Sequence, residues 1–255
     1  MRYISFASGS SGNCGLITGP GCALLLDAGI SLRRIRTALL GQGLDLPQLA
    51  GLLITHEHTD HVAALPMLCK HTALPVYCSG GTARALLRAG KCDREHLRLL
   101  EPGTVLKLGG LQIRGFETSH DAAQPMGYRM EEGDGGVLSV LTDLGCVNEN
   151  VQRAAAGSRA AVVEFNHDEE MLRCGSYPYP LKQRILGRMG HLSNRAGASL
   201  AGFLAELGAE EFLLAHLSKE NNLPSLAMEA ARERLGPAAA ISVAPPDALS
   251  REIIV

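Results

Sequence analysis

Short apolar runs alternate with longer patterned stretches along the whole chain. YISFAS, CGLIT and ALLLDAG are compact apolar runs joined by Gly/Ser-rich turns, and they predict three strands. Ser31 then predicts a helix cap, with the helix running to about residue 41 and Gly41 and Gly43 closing it. GLLIT predicts a buried strand. After His61 come a short helix, the strand PVYCS and the helix TARALLRAG. The middle predicts strands at TVLKLGG, LQIRGFETS, MGYRMEE and GVLSVLTD, and EEGDGG has the Gly/Asp content of a hairpin turn. A helix near 148–156, the strand AAVVEF, a helix near 180–189 and a helix from about 195 to 207 follow. In the last, Leu200, Phe203, Leu204 and Leu207 fall at i, i+3, i+4 and i+7, which predicts one buried face. EFLLAH is then a strand, SLAMEAARERL a helix and AISVA a late strand. No short period recurs and no linker is long enough to divide the chain. The expected organisation is a single domain over residues 1–255, of α/β (α+β) class, with two sheets and helices outside them.

Composition adds little to that picture. Hydrophobic residues make up 46% of the 255 and charged residues 20%, ordinary values for a globular protein. Trp is absent, so Leu, Ala, Val and Ile must build the core. No signal peptide and no window of about 18 apolar residues is present, so the expectation is a cytoplasmic protein with no membrane partner. The seven cysteines form no CxxC pair and are expected as free thiols in a reducing compartment. A formal charge of −2 gives no global basic signal for nucleic acid, but Lys182, Arg184, Arg188 and Arg195 cluster locally. Arg184 and Arg188 are four apart and are expected to share a helix face.

Chemistry enters at LLITHEHTDHVAAL, where His56, His58, Asp60 and His61 crowd behind an apolar strand. Side chains two apart on extended backbone point the same way, so His56 and His58 can grip one ion. Asp60 and His61 follow as the chain turns toward a helix and can reach a second. Imidazole and carboxylate suit Zn²⁺, Mn²⁺ or Fe.

The HxHxDH pattern after an apolar strand resembles the signature of the metallo-β-lactamase fold, a four-layer αββα sandwich. The resemblance continues through His120 in FETSHDA, Asp143 in LSVLTDLG and His216 in FLLAHLS, each at a predicted strand end. It implies two divalent metal ions, zinc or manganese. His56, His58 and His120 would hold one, Asp60, His61 and His216 the other, and Asp143 would bridge them. Asp27 in LLLDAG would prop the metal loop from behind. Position 58 is histidine, where the diiron redox branch carries glutamate. SHDAAQPMGYRM, VVEFNHD and MGHLSN resemble segments of the tRNA 3′-processing nucleases, which implies that Glu164 orients His191 as a proton donor. SGSSGNC, THEHTDHV, FNHD, YPYPLKQRI and GHLSN are similar to the YycJ/WalJ group of bacterial nucleases.

That resemblance implies a 5′→3′ exonuclease acting on DNA rather than RNA. A hydroxide between the metals would attack phosphorus while His191 protonates the leaving 3′-oxygen, with Asp60 also counted among the catalytic groups. His167, Arg184, Arg188, Arg195, Ser193 and Asn194 are candidate substrate contacts, Ser193 or Asn194 also being a helix cap. SGSSGNC reads either as a tight hairpin or as a backbone cradle for phosphate. The residues alone support a two-metal hydrolase. Small phosphodiesters, thioesters and lactones stay open as alternative substrates, and His191 is the group that acyl hydrolysis does not need.

Overall fold

The computed structural model describes residues 1–133 and 135–255. Asp134, in the expected EEGDGG turn, lies outside them. The first half of the chain supplies strands β1 (Arg2–Ala7), β2 (Cys14–Gly19), β3 (Cys22–Leu26), β4 (Gly51–Leu53), β5 (Val76–Cys78) and β6 (Leu97–Leu99). The second supplies β7 (Val105–Leu108), β8 (Leu111–Glu117), β9 (Met126–Glu132), β10 (Val137–Leu141), β11 (Ala160–Glu164), β12 (Glu211–Ala215) and β13 (Ala240–Val243). A two-residue strand, β14 (Ile253–Ile254), returns to pair with β1. The helices are α1 (Leu32–Gly41), α2 (Thr59–Val62), α3 (Leu65–His71), α4 (Gly80–Arg88), α5 (Glu149–Ala155), α6 (Glu169–Cys174), α7 (Tyr179–Leu186), α8 (Asn194–Glu206) and α9 (Pro224–Leu235).

These elements form two seven-stranded sheets, ordered β14-β1-β2-β3-β4-β5-β6 and β13-β12-β11-β10-β9-β8-β7. Three apolar layers hold them. Between the sheets, Ile17, Leu24 and Leu53 of the first meet Ile113, Tyr128 and Val162 of the second. Outside the first sheet, Leu25 and Leu52 pack with Ile35 and Leu39 of α1 and Leu68 of α3. Outside the second, Leu141, Val163 and Leu214 pack with Val151 of α5, Leu200 of α8 and Ala227 of α9. Helix, sheet, sheet, helix is the four-layer αββα sandwich. It follows from alternating strand faces, as in β8, where Leu111 and Ile113 are buried and Gln112 and Arg114 exposed.

Both sheets change direction at one strand. Pairing is antiparallel up to β3 in the first sheet and up to β10 in the second, then parallel through β4–β6 and β11–β13. In open α/β sheets, ligand crevices lie outside the carboxyl ends of the strands. Here β3 leads to Asp27 and β10, through Thr142, to Asp143. Among the described residues, the non-glycine residues with left-handed backbone are Asp27 (φ 58°), Asp143 (φ 57°) and His216 (φ 59°). Such backbone costs on the order of 1 kcal/mol or more for a residue with a Cβ, and it concentrates at functional sites.

Several expectations needed correction. The helix after the histidine loop begins at Thr59, so His61 lies inside α2 and His58 caps it. Leu207 lies beyond the end of α8 and is 45% exposed; the buried face runs through Gly197, Leu200, Ala201 and Leu204 instead. α6, β6 and β14 were not anticipated. α6 spans six residues behind an Asp168 side chain that accepts from Met171 N, and β6 is a largely exposed edge-side strand without alternation.

Candidate metal centre

The loop after β4 carries His56 and His58, and the short α2 that follows carries Asp60 and His61, to the strand ends of both sheets. There it meets His120 beyond β8, Asp143 beyond β10 and His216 beyond β12. The loop can lie this close because Gly29 has no side chain; a Cβ there would run into the Asp60 carbonyl. Ligand atoms of His56, His58 and His120 fall within 4.8 Å of one another, as do those of Asp60, His61 and His216 and those of His56, His61 and Asp143.

One nitrogen of each ring is already taken, which selects its tautomer. His61 Nδ1 donates to Asp27 Oδ2 at 2.8 Å. The Thr55 hydroxyl donates to Asp27 and so accepts from His56 Nδ1 at 3.0 Å. His120 Nδ1 donates to the Gly190 carbonyl at 3.0 Å and His216 Nδ1 to Glu164 Oε1 at 3.0 Å. His58 is turned the other way: Nε2 donates to the Asp121 carbonyl at 3.2 Å, leaving Nδ1 free. The other nitrogens converge. His120 Nε2 and His58 Nδ1 face each other at 3.3 Å, while His61 Nε2 lies 3.3 Å from Asp143 Oδ2 and His216 Nε2 3.5 Å from Asp143 Oδ1. Buried His56 Nε2, His216 Nε2 and Asp143 Oδ2 have no hydrogen-bond partner. Unpaired buried polar atoms are costly, and lone pairs pointing at one space are a donor set that fits one or two divalent cations. Burial opposes charging His61, but the Asp27 and Asp143 carboxylates beside it push its pKa up to about 9, the same negative field that would favour a cation.

Glu164 is fully buried and each of its oxygens accepts twice. Oε1 takes His191 Nδ1 at 2.8 Å and His216 Nδ1 at 3.0 Å; Oε2 takes Leu144 N at 2.8 Å and Leu192 N at 3.1 Å. Burial opposes its ionisation, but the His191 charge and these hydrogen bonds hold the carboxyl well below the usual range. Asp143, Glu164, His191 and His216 also lie within 4.8 Å of one another. A carboxylate engaged by four donors has little left for a cation, so Glu164 is an orienting group. His191 lines the pocket over the cluster, a cavity of about 240 Å³ shared with Ser10, Tyr177 and Arg184.

The other candidates scatter. Arg184 lines the pocket but is ion-paired to Asp121 at 2.5 Å. Arg188 does not share a helix face with it, because α7 ends at Leu186 and Gly187 caps it. Lys182 is engaged by the Arg173 and Gly175 carbonyls. Arg195 lines a separate hollow between α8 and α9. Ser193 caps α8 and donates to Glu169, and Asn194 is buried against Asn222. SGSSGNC turns tightly, Gly12 N donating to Gly9 O at 2.9 Å. It also reaches the centre: Ser8 Oγ accepts from His216 N, and Asn13 Nδ2 lies 3.0 Å from His61 Nε2. Asn13, Ser8, Thr55, Asp121 and Asn166, whose Nδ2 donates to the His216 carbonyl at 3.0 Å, were not singled out from the sequence; only the Gly/Ser-rich run pointed to the first two.

His167 is 1% exposed and neither ring nitrogen has a partner. Burial pushes its pKa down to about 4. The unfolded chain protonates this residue near pH 6.5, so it takes up a proton that the folded state refuses. The resulting contribution is intact above pH 6.5 and is lost as pH falls toward 4, about 2–3 kcal/mol by pH 4.5. Urea midpoints at pH 7 and 4.5 should therefore separate further for wild type than for His167→Gln. An equal pH response of the two proteins would contradict the assignment.

The chain matches the Beta-lactamase superfamily domain over residues 23–217. It is 38% identical over 233 residues to the exodeoxyribonuclease WalJ of Streptococcus pneumoniae, covering 89% of this chain and 85% of that one. It is 34% identical over 228 residues to the exodeoxyribonuclease YycJ of Bacillus anthracis, covering 89% and 86%. Among solved structures, the metallo-β-lactamase fold protein YhfI of Bacillus subtilis superposes with a TM-score of 0.72 at 15% identity, over 97% of this chain and 98% of that one.

Proposed function

Because this chain belongs to the β-lactamase superfamily, as a metal-dependent hydrolase related to the WalJ and YycJ exonucleases, we propose that it is a two-metal phosphodiesterase that degrades DNA from the 5′ end. His56, His58 and His120 would hold one ion, Asp60, His61 and His216 the other, with Asp143 between them; zinc and manganese both suit this set. When bound, such a pair supplies an acidified water and positive charge for the phosphoryl oxygens.

The observation that carries the reading is the sharing of Glu164 Oε1 between His216 of the donor set and His191 of the pocket wall. One carboxylate thus fixes a metal-set imidazole and a proton donor relative to each other. Glu164 occupies Nδ1 of His191 and leaves Nε2 as the ring atom able to protonate a leaving oxygen. It also stabilises the imidazolium before the transfer. Asp27 and Thr55 do the corresponding work on the other side, fixing His61 and His56. Hydrolysis of this kind leaves a 5′-phosphate and a 3′-hydroxyl. The deoxyribonuclease names of the two relatives support DNA as the substrate.

The test is digestion of duplex DNA labelled at its 5′ or 3′ end by protein stripped of metal and reloaded with Mn²⁺ or Zn²⁺. Labelled mononucleotides should appear at once from the 5′-labelled end alone, and not with His58→Ala. Internal cuts, release from the 3′ end, or an uncut duplex with two ions bound would each refute the reading as stated.

A further inference from the structure

Of the four cations expected beside the metal centre, Arg184 is spent on Asp121, Lys182 on backbone carbonyls and Arg195 faces another hollow, which leaves Arg188. A polyanion following the scissile phosphate needs more positive charge than that. The second sheet provides it on its outer face, where a cleft of about 620 Å³ opens between β8, β9 and α5. Arg114, Arg129 and Arg153 line it, against one carboxylate, Glu117.

Arg114 and Arg129 are direct cross-strand partners. Like charges placed opposite each other on a sheet are destabilising unless something neutralises them. Arg129 is held by Glu131 at 2.6 Å and by the Ala156 carbonyl at 2.7 Å. Arg153 has only Glu149 at 3.8 Å, with both side chains largely in solvent. Arg114 has no ion pair or side-chain hydrogen bond among the described residues. In the neutral lining, Asn148 Nδ2 donates one hydrogen to Ser119 Oγ and Asn150 Nδ2 one to the Glu117 carbonyl, which leaves the Ser119 hydroxyl and a second amide hydrogen on each asparagine for phosphate.

The cleft adjoins the metal centre along the chain at two places. Ser119 lines the cleft and His120, the next residue, belongs to the metal-ligating group. Asn148 of the cleft and Asp143 of the centre lie on the same β10–α5 connection. The cleft has more than twice the roughly 240 Å³ of the metal pocket, and its arginines come from three different elements. That arrangement fits successive phosphates better than one.

We propose that the Arg114–Arg129–Arg153 cleft is a backbone-binding track that holds a nucleic-acid strand beyond the phosphate being cut. The proposal rests on the phosphodiesterase reading and extends it. Arg114 and Arg153 are exposed, so Arg114→Gln and Arg153→Gln, alone and together, should leave the fold intact. Each metal-loaded protein is assayed for hydrolysis of bis(p-nitrophenyl) phosphate, which is too small to reach the cleft. It is also titrated with a fluorescent single-stranded oligonucleotide carrying phosphorothioate linkages, across a salt series.

The double variant should hydrolyse the small ester at the wild-type rate but bind the oligonucleotide about 10–100-fold more weakly at low salt. Its slope of log affinity against log salt should be shallower by roughly 1.4, the value for two single-strand phosphate contacts. Unchanged affinity and slope would overturn the proposal. It would also fall if the substitutions weakened competition by millimolar inorganic phosphate while oligonucleotide affinity stayed the same, which would make the cleft a free-anion site. Failure of the wild-type holoenzyme to hydrolyse either the small ester or DNA would overturn the phosphodiesterase reading instead, and the binding titration would still report on the cleft.

Discussion

Asp143→Asn should retain at most one metal ion per chain and lose at least about 10³-fold in phosphodiester turnover, while remaining folded. The size follows from the several kilocalories per mole of transition-state charge stabilisation that a bound ion supplies. Asp143 is the side chain that touches both ligand groups. Its Oδ2 lies 3.3 Å from His61 Nε2, and its Oδ1 lies 3.5 Å from His216 Nε2 and 3.9 Å from His120 Nε2. Asparagine keeps the shape and, like aspartate, tolerates the left-handed backbone at φ 57°. Alanine would add backbone strain and blur the result. What asparagine removes is the negative charge and one of two anionic oxygens. Metal content by mass spectrometry, measured beside turnover on the same sample, separates the possibilities. Two ions retained with more than a tenth of the wild-type rate would mean that Asp143 does not bridge. Two ions lost with the fold intact would mean that it supports both sites.

The candidate ligand cluster was legible because metal chemistry restricts residue type and because apolar runs mark strand ends. His56, His58, Asp60 and His61 are dense in sequence, and His120, Asp143 and His216 each follow a readable strand. What was not legible depends on contacts between distant segments. Nothing in EFLLAH announces that His216 has left-handed backbone or that Ser8, over two hundred residues earlier, accepts its N–H. Asn13 reads as a turn residue until the loop folds onto Asp60 and His61. The basic residues show the same limit. Those clustered between 182 and 195 are near one another in sequence, but two are consumed by local partners, one follows the end of the helix and one faces another hollow. Arg114 and Arg129 are fifteen residues apart and become neighbours only through strand register. Clustering along the chain measures proximity, whereas free charge depends on what has already paired.

His191→Ala should separate proton donation from metal chemistry through the leaving group. With DNA the departing group is a deoxyribose 3′-oxygen, a poor leaving group that needs a proton, and loss of the donor should lower turnover roughly 10²–10⁴-fold. With bis(p-nitrophenyl) phosphate the departing phenolate is stable without protonation, so the same variant should lose less than about tenfold. The metals should stay, because His216 keeps its bond to Glu164 Oε1 and the other oxygen still accepts from Leu144 N and Leu192 N. A merely structural role for His191 predicts something else: equal losses on both substrates, accompanied by loss of metal. A small loss on DNA with both ions bound would return the site to purely metal-driven hydrolysis, the chemistry that acyl substrates require.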